Sequence, residues 1–433
     1  MYAVSNDPTV VAKIYHAPLK PEKFEKLQAM SFLAKPELVA VAAWPVDMAY
    51  RSRGQEPVGV LMPYVQKHRE IHQLYSPAQR KLHYPRADWS FLVHVARNCA
   101  AAFETVHAFG HVIGDVNQSG VLVADSATVR LIDCDSFQVR YNGRLFQCDV
   151  GVPQYTPPEL SGKSFKEITR TEQHDCFGLA LIIFHLLFMG RHPFSGRYAG
   201  REDMPIERAI KEGRFAFSQK AKLYGMMPPP YSLPLTALPS ELANLFERAF
   251  AWPLITNGRP SAREWREAME ALKANLRTCL IDHGHKYPRH LSECPWCAIE
   301  QQGGPNFFFS VQVVHGNLYD LPRVDADELW KRIAAIGGPN LHEPDLTPKR
   351  SKYCPQALPE HLQDQKALLF VVRMVTLLTI IPIIVGLVVH ELILYIGIGL
   401  ALVFGIGWAL LACTTAFKRE LTRRKRQLSV LQH

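Results

Sequence analysis

Residues 114–123, GDVNQSGVLV, and 131–137, LIDCDSF, decide how this chain is read. Asp115 closes a turn between a long stretch with helical apolar spacing (90–109) and a short β-branched run (120–123). Asp133 follows the next such run (129–132). Two carboxylates at neighbouring strand ends can divide the work of phosphoryl transfer: one positions a hydroxyl nucleophile, and the other holds a divalent metal on a polyphosphate. Lys13 adds a cation in the strand-like VVAKIY (10–15). On a buried sheet face it needs an anionic partner, either a phosphate or Glu25 on the following helix. Singly these are common turn and surface residues. Their order and spacing make the case.

Working outward, residues 1–275 open with strands and become helical. Runs 10–15 and 57–64 are apolar and β-branched, bounded by turn residues. In 90–109, Phe91, Leu92, Val95, Cys99, Phe103 and Val106 recur at helical spacing, and Gly110 stops the pattern. A strongly apolar helix is expected over 175–189, and amphipathic helices over 240–251 and 261–276. Strands first and helices afterwards predict an α+β, bilobal layout, with a small sheet lobe over about 1–64 and a larger helical lobe over about 65–275.

On these residues the chain resembles the protein kinase fold. VVAKIY is similar to the strand-three lysine motif, and GDVNQSGVLV to the catalytic loop with Asp115 in the base position. LIDCDSF stands at the metal-binding Asp-Phe-Gly, with Asp133 as ligand. GVPQYTPPEL (151–160) resembles the end of the activation segment, with Glu159 as the Ala-Pro-Glu glutamate. HDCFGLALIIFHLLFMGRHPF (174–194) resembles the helix that follows, with Asp175 bracing the catalytic loop, and NGRPSAREW (257–265) the late Arg-Pro motif, with Arg259 paired to Glu159. The resemblance implies ATP with Mg²⁺ or Mn²⁺, and a protein hydroxyl as acceptor. Gly-Asp-x-Asn, Asp-x-Asp-Ser and a downstream Cys-Pro-Trp-Cys are similar to a bacterial kinase-like family often joined to helix-hairpin-helix segments. That family is encoded with PP2C-type phosphatases and von Willebrand A proteins, which the resemblance implies as partners. It implies a Ser/Thr-type kinase or a kinase-derived regulator.

Several positions depart from the pattern. Five residues after Asp115, where a metal-binding Asn is usual, stands Gly120; Asn117 and Asp135 are the nearby oxygens that can compensate. Residues 1–4, MYAV, look like the strand that follows the glycine-rich phosphate loop, so either the true start lies farther upstream or the nucleotide lacks that lid. Glu25, then Glu22, is the expected partner of Lys13. Met62-Pro63-Tyr64 is the expected hinge, with backbone groups for adenine. These departures keep a second reading open, a pseudokinase scaffold that binds nucleotide or partner proteins without turnover.

Residues 276–304 hold Cys279, His283, His285, His290, Cys294 and Cys297. Cys294-Pro-Trp-Cys297 brings two thiolates to one tetrahedral Zn²⁺ from a single turn. Cys279 with one histidine, His285 ahead of His290, would complete a closed Cys₃His structural site. A redox dithiol is the competing reading. Residues 305–338 read as a small extension with a strand over 307–314 and a helix over 325–336, and 339–367 as a Pro-rich linker. ELWKRIAAIGGPNL (328–341) resembles half a hairpin motif with no second helix after it, so nucleic acid is not expected as a partner.

The 433 residues, 48% apolar and 21% charged, amply supply a packed core and exclude wholesale disorder. The formal charge is +9, but residues 418–433 hold six Lys/Arg against Glu420 alone, so more than half of the excess lies in that tail. This weakens any argument from charge to nucleic acid. Residues 368–417 are nearly all apolar. As one helix they would measure about 75 Å, over twice a bilayer core of about 30 Å. Two transmembrane helices reversing near His390-Glu391 fit instead. The basic tail places both ends on the cytoplasmic side of the inner membrane, against anionic lipid. Nine cysteines, odd in number and mostly scattered, fit a reducing compartment. The opening MYAVSNDPTVVAKIY has no basic region followed by an apolar core, so no cleavable leader is expected.

Overall fold

The computed structural model describes residues 1–310 apart from 6, 52–55 and 254–257. Strands β1 (Tyr2–Val4) and β2 (Asp7–Ile14) pair antiparallel. Helices α1 (Pro21–Phe32) and α2 (Pro36–Val41) follow, each opening on a proline, which suits a first turn whose N–H groups have no intrahelical acceptor. With β3 (Asp47–Tyr50) and β4 (Pro57–Pro63) they complete a sheet of order β1-β2-β4-β3, in which Lys13 lies opposite Val60. Val11, Leu27, Ala43, Met48, Val60 and Met62 form a small core of their own.

The second layer is mainly helical. Strand β5 (His68–Glu70), helices α3 (His72–Tyr75) and α4 (Pro77–His83), and the long α5 (Trp89–Ala108) lead to β6 (Val121–Ala124) and β7 (Val129–Leu131). Strands β5, β6 and β7 make a three-stranded sheet. The Asp88 carboxylate caps α5 by accepting the Phe91 N–H at 3.0 Å. Hairpin β8–β9 (Val139–Tyr141, Arg144–Phe146) precedes α6 (Glu172–Leu187), which is buried without interruption from Asp175 to Leu187. A helix apolar all round belongs at the centre of a lobe. Here Phe184 stacks on Phe188 at 3.9 Å and meets Phe246 edge-on at 5.2 Å. Gly178 is required where α6 passes beneath the Asp115 turn, because a Cβ there would lie 2.6 Å from Val116.

The short pair β10–β11 (Arg197–Tyr198, Met226–Met227) flanks α7 (Ile206–Lys211). Amphipathic α8 (Ser240–Phe250) and α9 (Ala262–Ala274) close the lobe, α9 through a Ser261/Glu264 capping box. Hairpin β12–β13 (Leu276–Thr278, Lys286–Pro288) and α10 (Pro295–Gln301) follow. This mixed α/β architecture, sheet lobe then helical lobe, is consistent with a kinase-like fold.

The strand expected over 307–314 is corrected over its described part. Phe307 and Phe308 are consecutive and both buried, 6.0 and 5.1 Å from the Trp296 ring, and no strand forms through Ser310. A half-buried strand would turn one of the two outward. Among the described residues no helix is long and apolar enough to cross a membrane. The apolar stretch 368–417, the helix expected over 325–336, the linker and the basic tail lie outside them.

Candidate functional site

The cleft assembles where the two lobes meet. Asp175, buried in the first turn of α6, accepts the backbone N–H groups of Ile113 at 2.7 Å and Gly114 at 2.8 Å, and lies 3.0 Å from His107 Nε2. These bonds fix the turn that presents Asp115. Gly114 combines a φ of +75° with a close approach: a Cβ would stand 2.6 Å from the Cys148 side chain. No other residue type fits both demands. Arg170 locks the turn from the other side, its guanidinium donating to the carbonyls of Gly114 at 3.1 Å and Val150 at 3.0 Å.

Asp115 Oδ1 is buried with no hydrogen-bond partner among the described residues. Burial pushes its carboxyl above the ordinary carboxylate value; Asn117 and Arg170 oppose this and Asp133 adds to it. Asp115, Asn117, Gly120, Asp133 and Ser136 line one cleft, walled by Phe103, Ile113, Val121 and Leu131. Asp133 sits in the left-handed region at φ 55°, a conformation that Asp tolerates better than most residues, and its side chain is 67% exposed.

Lys13 reaches across from β2 to Asp133 at 3.2 Å and to Asp135 at 2.7 Å. Burial works against its charge, yet Asp135 and Asp133 hold its pKa above the ordinary lysine value. Asp135 is buried and also accepts from the Tyr15 hydroxyl at 2.7 Å and from Lys23 at 3.1 Å. Its desolvation is overridden by Lys23 and Lys13, which keep it well below the carboxylate range. Lys26, one turn on from Lys23, donates to the carbonyls of Ser136 and Gln147. Burial and the neighbouring Lys23 charge push its pKa down to about 8.

Three expectations are corrected. Glu25 does not meet Lys13; it pairs with Arg144. Lys23 and Lys26, three apart, share the face of α1 that meets the Asp133–Ser136 turn, and Glu25 falls on another face. Asn117 is not free to hold a metal, because its Oδ1 caps a 3₁₀ turn by accepting from Ser119 at 2.9 Å and Gly120 at 3.1 Å. The expected hinge Met62-Pro63-Tyr64 has no free N–H at its last two residues: Pro63 has none, Tyr64 donates its own to Thr9 at 2.7 Å, and the Met62 side chain is buried in the sheet-lobe core. Farther from the cleft, Arg259 and Glu159 do come together, in a bidentate pair at 2.6 and 2.8 Å.

The residues fit a polyphosphate and a divalent cation. An orphaned carboxylate oxygen on Asp115 and an exposed carboxylate on Asp133 face the cleft beside a lysine. The chain is similar to protein kinase YegI of Escherichia coli strain K12, 45% identical over 295 residues, which is 68% of this chain and 46% of that protein. Its counterpart in E. coli O157:H7 is 43% identical over 305 residues, 70% of this chain and 47% of that protein.

The similarity supports a kinase-like family.

The chain spans just under half the length of the curated relatives it matches. No family model matches it.

The kinase-like chain carries a second constellation. The ligand atoms of Cys279, His285, Cys294 and Cys297, all buried, lie within 4.8 Å of one another. The two sulfurs of Cys279 and Cys297 are 3.6 Å apart, and His285 Nδ1 is 3.4 Å from Cys297 and 3.7 Å from Cys294. A tetrahedron with metal–sulfur bonds of about 2.3 Å has edges of about 3.8 Å, so the donors fit Zn²⁺. Glu300 lies 3.3 Å from His285 Nε2, where a carboxylate orients a ligating imidazole. His290 instead borders a separate surface cavity beside Arg289 and Ser240. The segment packs on the helical lobe: Trp296 meets Trp89 edge-on at 5.7 Å, and Arg80 donates to Phe307 O at 2.9 Å.

Sequence reasoning missed Tyr15, Lys23, Arg170 and His107. Tyr15 had a signal, being two residues from Lys13 on the same strand face. Lys23 had one too, in the i, i+3 pair with Lys26. Arg170 and His107 had none, because their partners lie across the fold.

Proposed function

We propose that this chain is a protein kinase that transfers the γ-phosphate of ATP to Ser/Thr hydroxyls of protein in bacterial signalling. The observation that carries the reading is Lys13 bridging the sheet lobe to Asp133 while Asp115, with an orphaned oxygen, lines the same cleft. Asp115 would align the acceptor hydroxyl and take its proton as oxygen attacks the γ-phosphorus and the bond to the β-phosphate oxygen breaks, releasing ADP. A raised carboxyl pKa suits a group that accepts a proton near neutrality. Asp133 would hold Mg²⁺, which would supply charge neutralisation to the phosphates. Lys13 would bind phosphate. The family resemblance makes a PP2C-type phosphatase and a von Willebrand A protein candidate partners. The composition of 368–417 and 418–433 supports a two-pass inner-membrane anchor with the kinase-like part in the cytoplasm.

Incubation with ATP labelled at the γ-phosphate tests this. Label is expected on phosphoserine or phosphothreonine, and it disappears in Asp115→Ala and Asp133→Ala. Label on neither residue refutes the Ser/Thr assignment. A pseudokinase scaffold is the second reading, favoured by Gly120 and by the engagement of the Asn117 oxygen and the Tyr64 N–H. It predicts nucleotide binding with no label transferred.

A further inference from the structure

Asp135 is held by three donors from two elements: Lys13, Tyr15 just beyond β2, and Lys23 from α1. A buried carboxylate so held occupies an anion cradle already formed. Lys23 and Lys26 sit on one face of α1 but differ in kind. Lys26 is buried on two carbonyls, whereas the Lys23 side chain is 32% exposed and, besides the Asp135 carbonyl at 2.8 Å, holds a carboxylate that it shares with a second lysine. Two carboxylates, Asp135 and Asp133, face the two ammonium groups, so a phosphate entering here must displace a carboxylate from Lys23. Among the described residues Asp133 pairs with Lys13 and not with Lys23.

We propose that Lys23 is a phosphate-contacting residue of the nucleotide site, and that Asp135 is its place-holder until nucleotide arrives. The inference rests on the kinase reading above. When a polyphosphate and a divalent cation enter together, the two ammonium groups pass from carboxylate to phosphate, and Asp135 turns to the cation. No covalent bond changes. The cation alone competes with two lysines for Asp135, and phosphate alone meets the repulsion of that carboxylate. Each ligand therefore favours the other, a coupling that is reciprocal by linkage.

The opposing reading makes Lys23 a counterion that only neutralises Asp135. The two separate by the sign of the nucleotide effect in Lys23→Gln, measured on the full chain in detergent. Mn²⁺ alone is followed by the electron paramagnetic resonance of the free ion, and ADP with Mg²⁺ by calorimetry. Loss of a charged hydrogen bond predicts about tenfold weaker ADP binding, while Mn²⁺ alone binds several-fold tighter because Asp135 is released. Lys23→Arg, which keeps the charge, is expected to return ADP affinity to within about threefold of wild type. ADP affinity unchanged or tighter in Lys23→Gln overturns the inference, as does an equal loss in both variants. Wild-type binding of ADP without phosphate transfer sinks the kinase reading and leaves this inference standing. Failure of the wild type to bind ADP overturns both.

Discussion

Gly120 is the position where one side chain separates this cleft from an ordinary metal site. A Cβ there would meet nothing nearer than Asn117 Oδ1 at 4.0 Å, and the backbone is not in the left-handed region. Gly120→Asn should therefore fold with a stability change within about 1 kcal/mol. By adding an oxygen ligand it should lower the Mg²⁺ concentration for half-maximal activity several-fold; a metal titration of transfer rate checks this. Glu159 is the second residue with a measurable signature. Burial alone would raise its pKa, but Arg259 holds it below the ordinary 4.5. A depressed carboxylate contributes its full stability above that value and loses it as pH falls through the folded pKa. Glu159→Gln should cost about 3 kcal/mol at pH 7, as half of a largely buried ion pair is removed. The gap to wild type in urea unfolding should narrow as pH drops below about 4.5; a constant gap refutes the assignment. Asp133, Asp115 and Lys13 were legible because each sits in a recognisable local pattern. The partner of Lys13 was not. It depends on which face of α1 meets the 133–136 turn, and tertiary packing sets that.

At the scale of elements, the zinc segment makes the clearest demand. Its donors come from just after β12, the turn before β13 and the start of α10, and its Trp296 and Phe308 cover Trp89 and Arg80 of α4. Metal binding here would be coupled to local folding. The chain should carry one zinc per molecule; strong chelation or Cys297→Ser should red-shift tryptophan emission and lower the melting temperature. Retention of both after metal removal would favour the dithiol reading. Helix positions were legible from apolar spacing, with α5 and α8 displaced by about one residue from 90–109 and 240–251. The strand expected over 307–314 does not form in its described part, 307–310, where Phe307 and Phe308 both cover one tryptophan.

At the scale of the whole molecule, the two-lobed unit is built so that the cleft inherits its geometry from distant burial. Asp175 ties the Asp115 turn to the most buried helix, and Lys23 and Lys26 tie α1 to the Asp133 turn. Motion of one lobe against the other must therefore break these charged bonds or carry the turn with it. The proposed membrane hairpin belongs to this scale as well. The full chain should stay in the membrane pellet after carbonate washing, and a version ending before Leu368 should be released. Release of both would refute the anchor. The central claim is that Asp115 and Asp133 serve one bound nucleotide in different roles. Binding and transfer measured side by side test it most directly. Asp115→Asn should bind Mg²⁺-ATP within a few-fold of wild type yet lose transfer by about two orders of magnitude or more, whereas Asp133→Asn should lose both. Full transfer by either variant, or nucleotide binding by wild type that ignores the Asp133 change, would contradict the account.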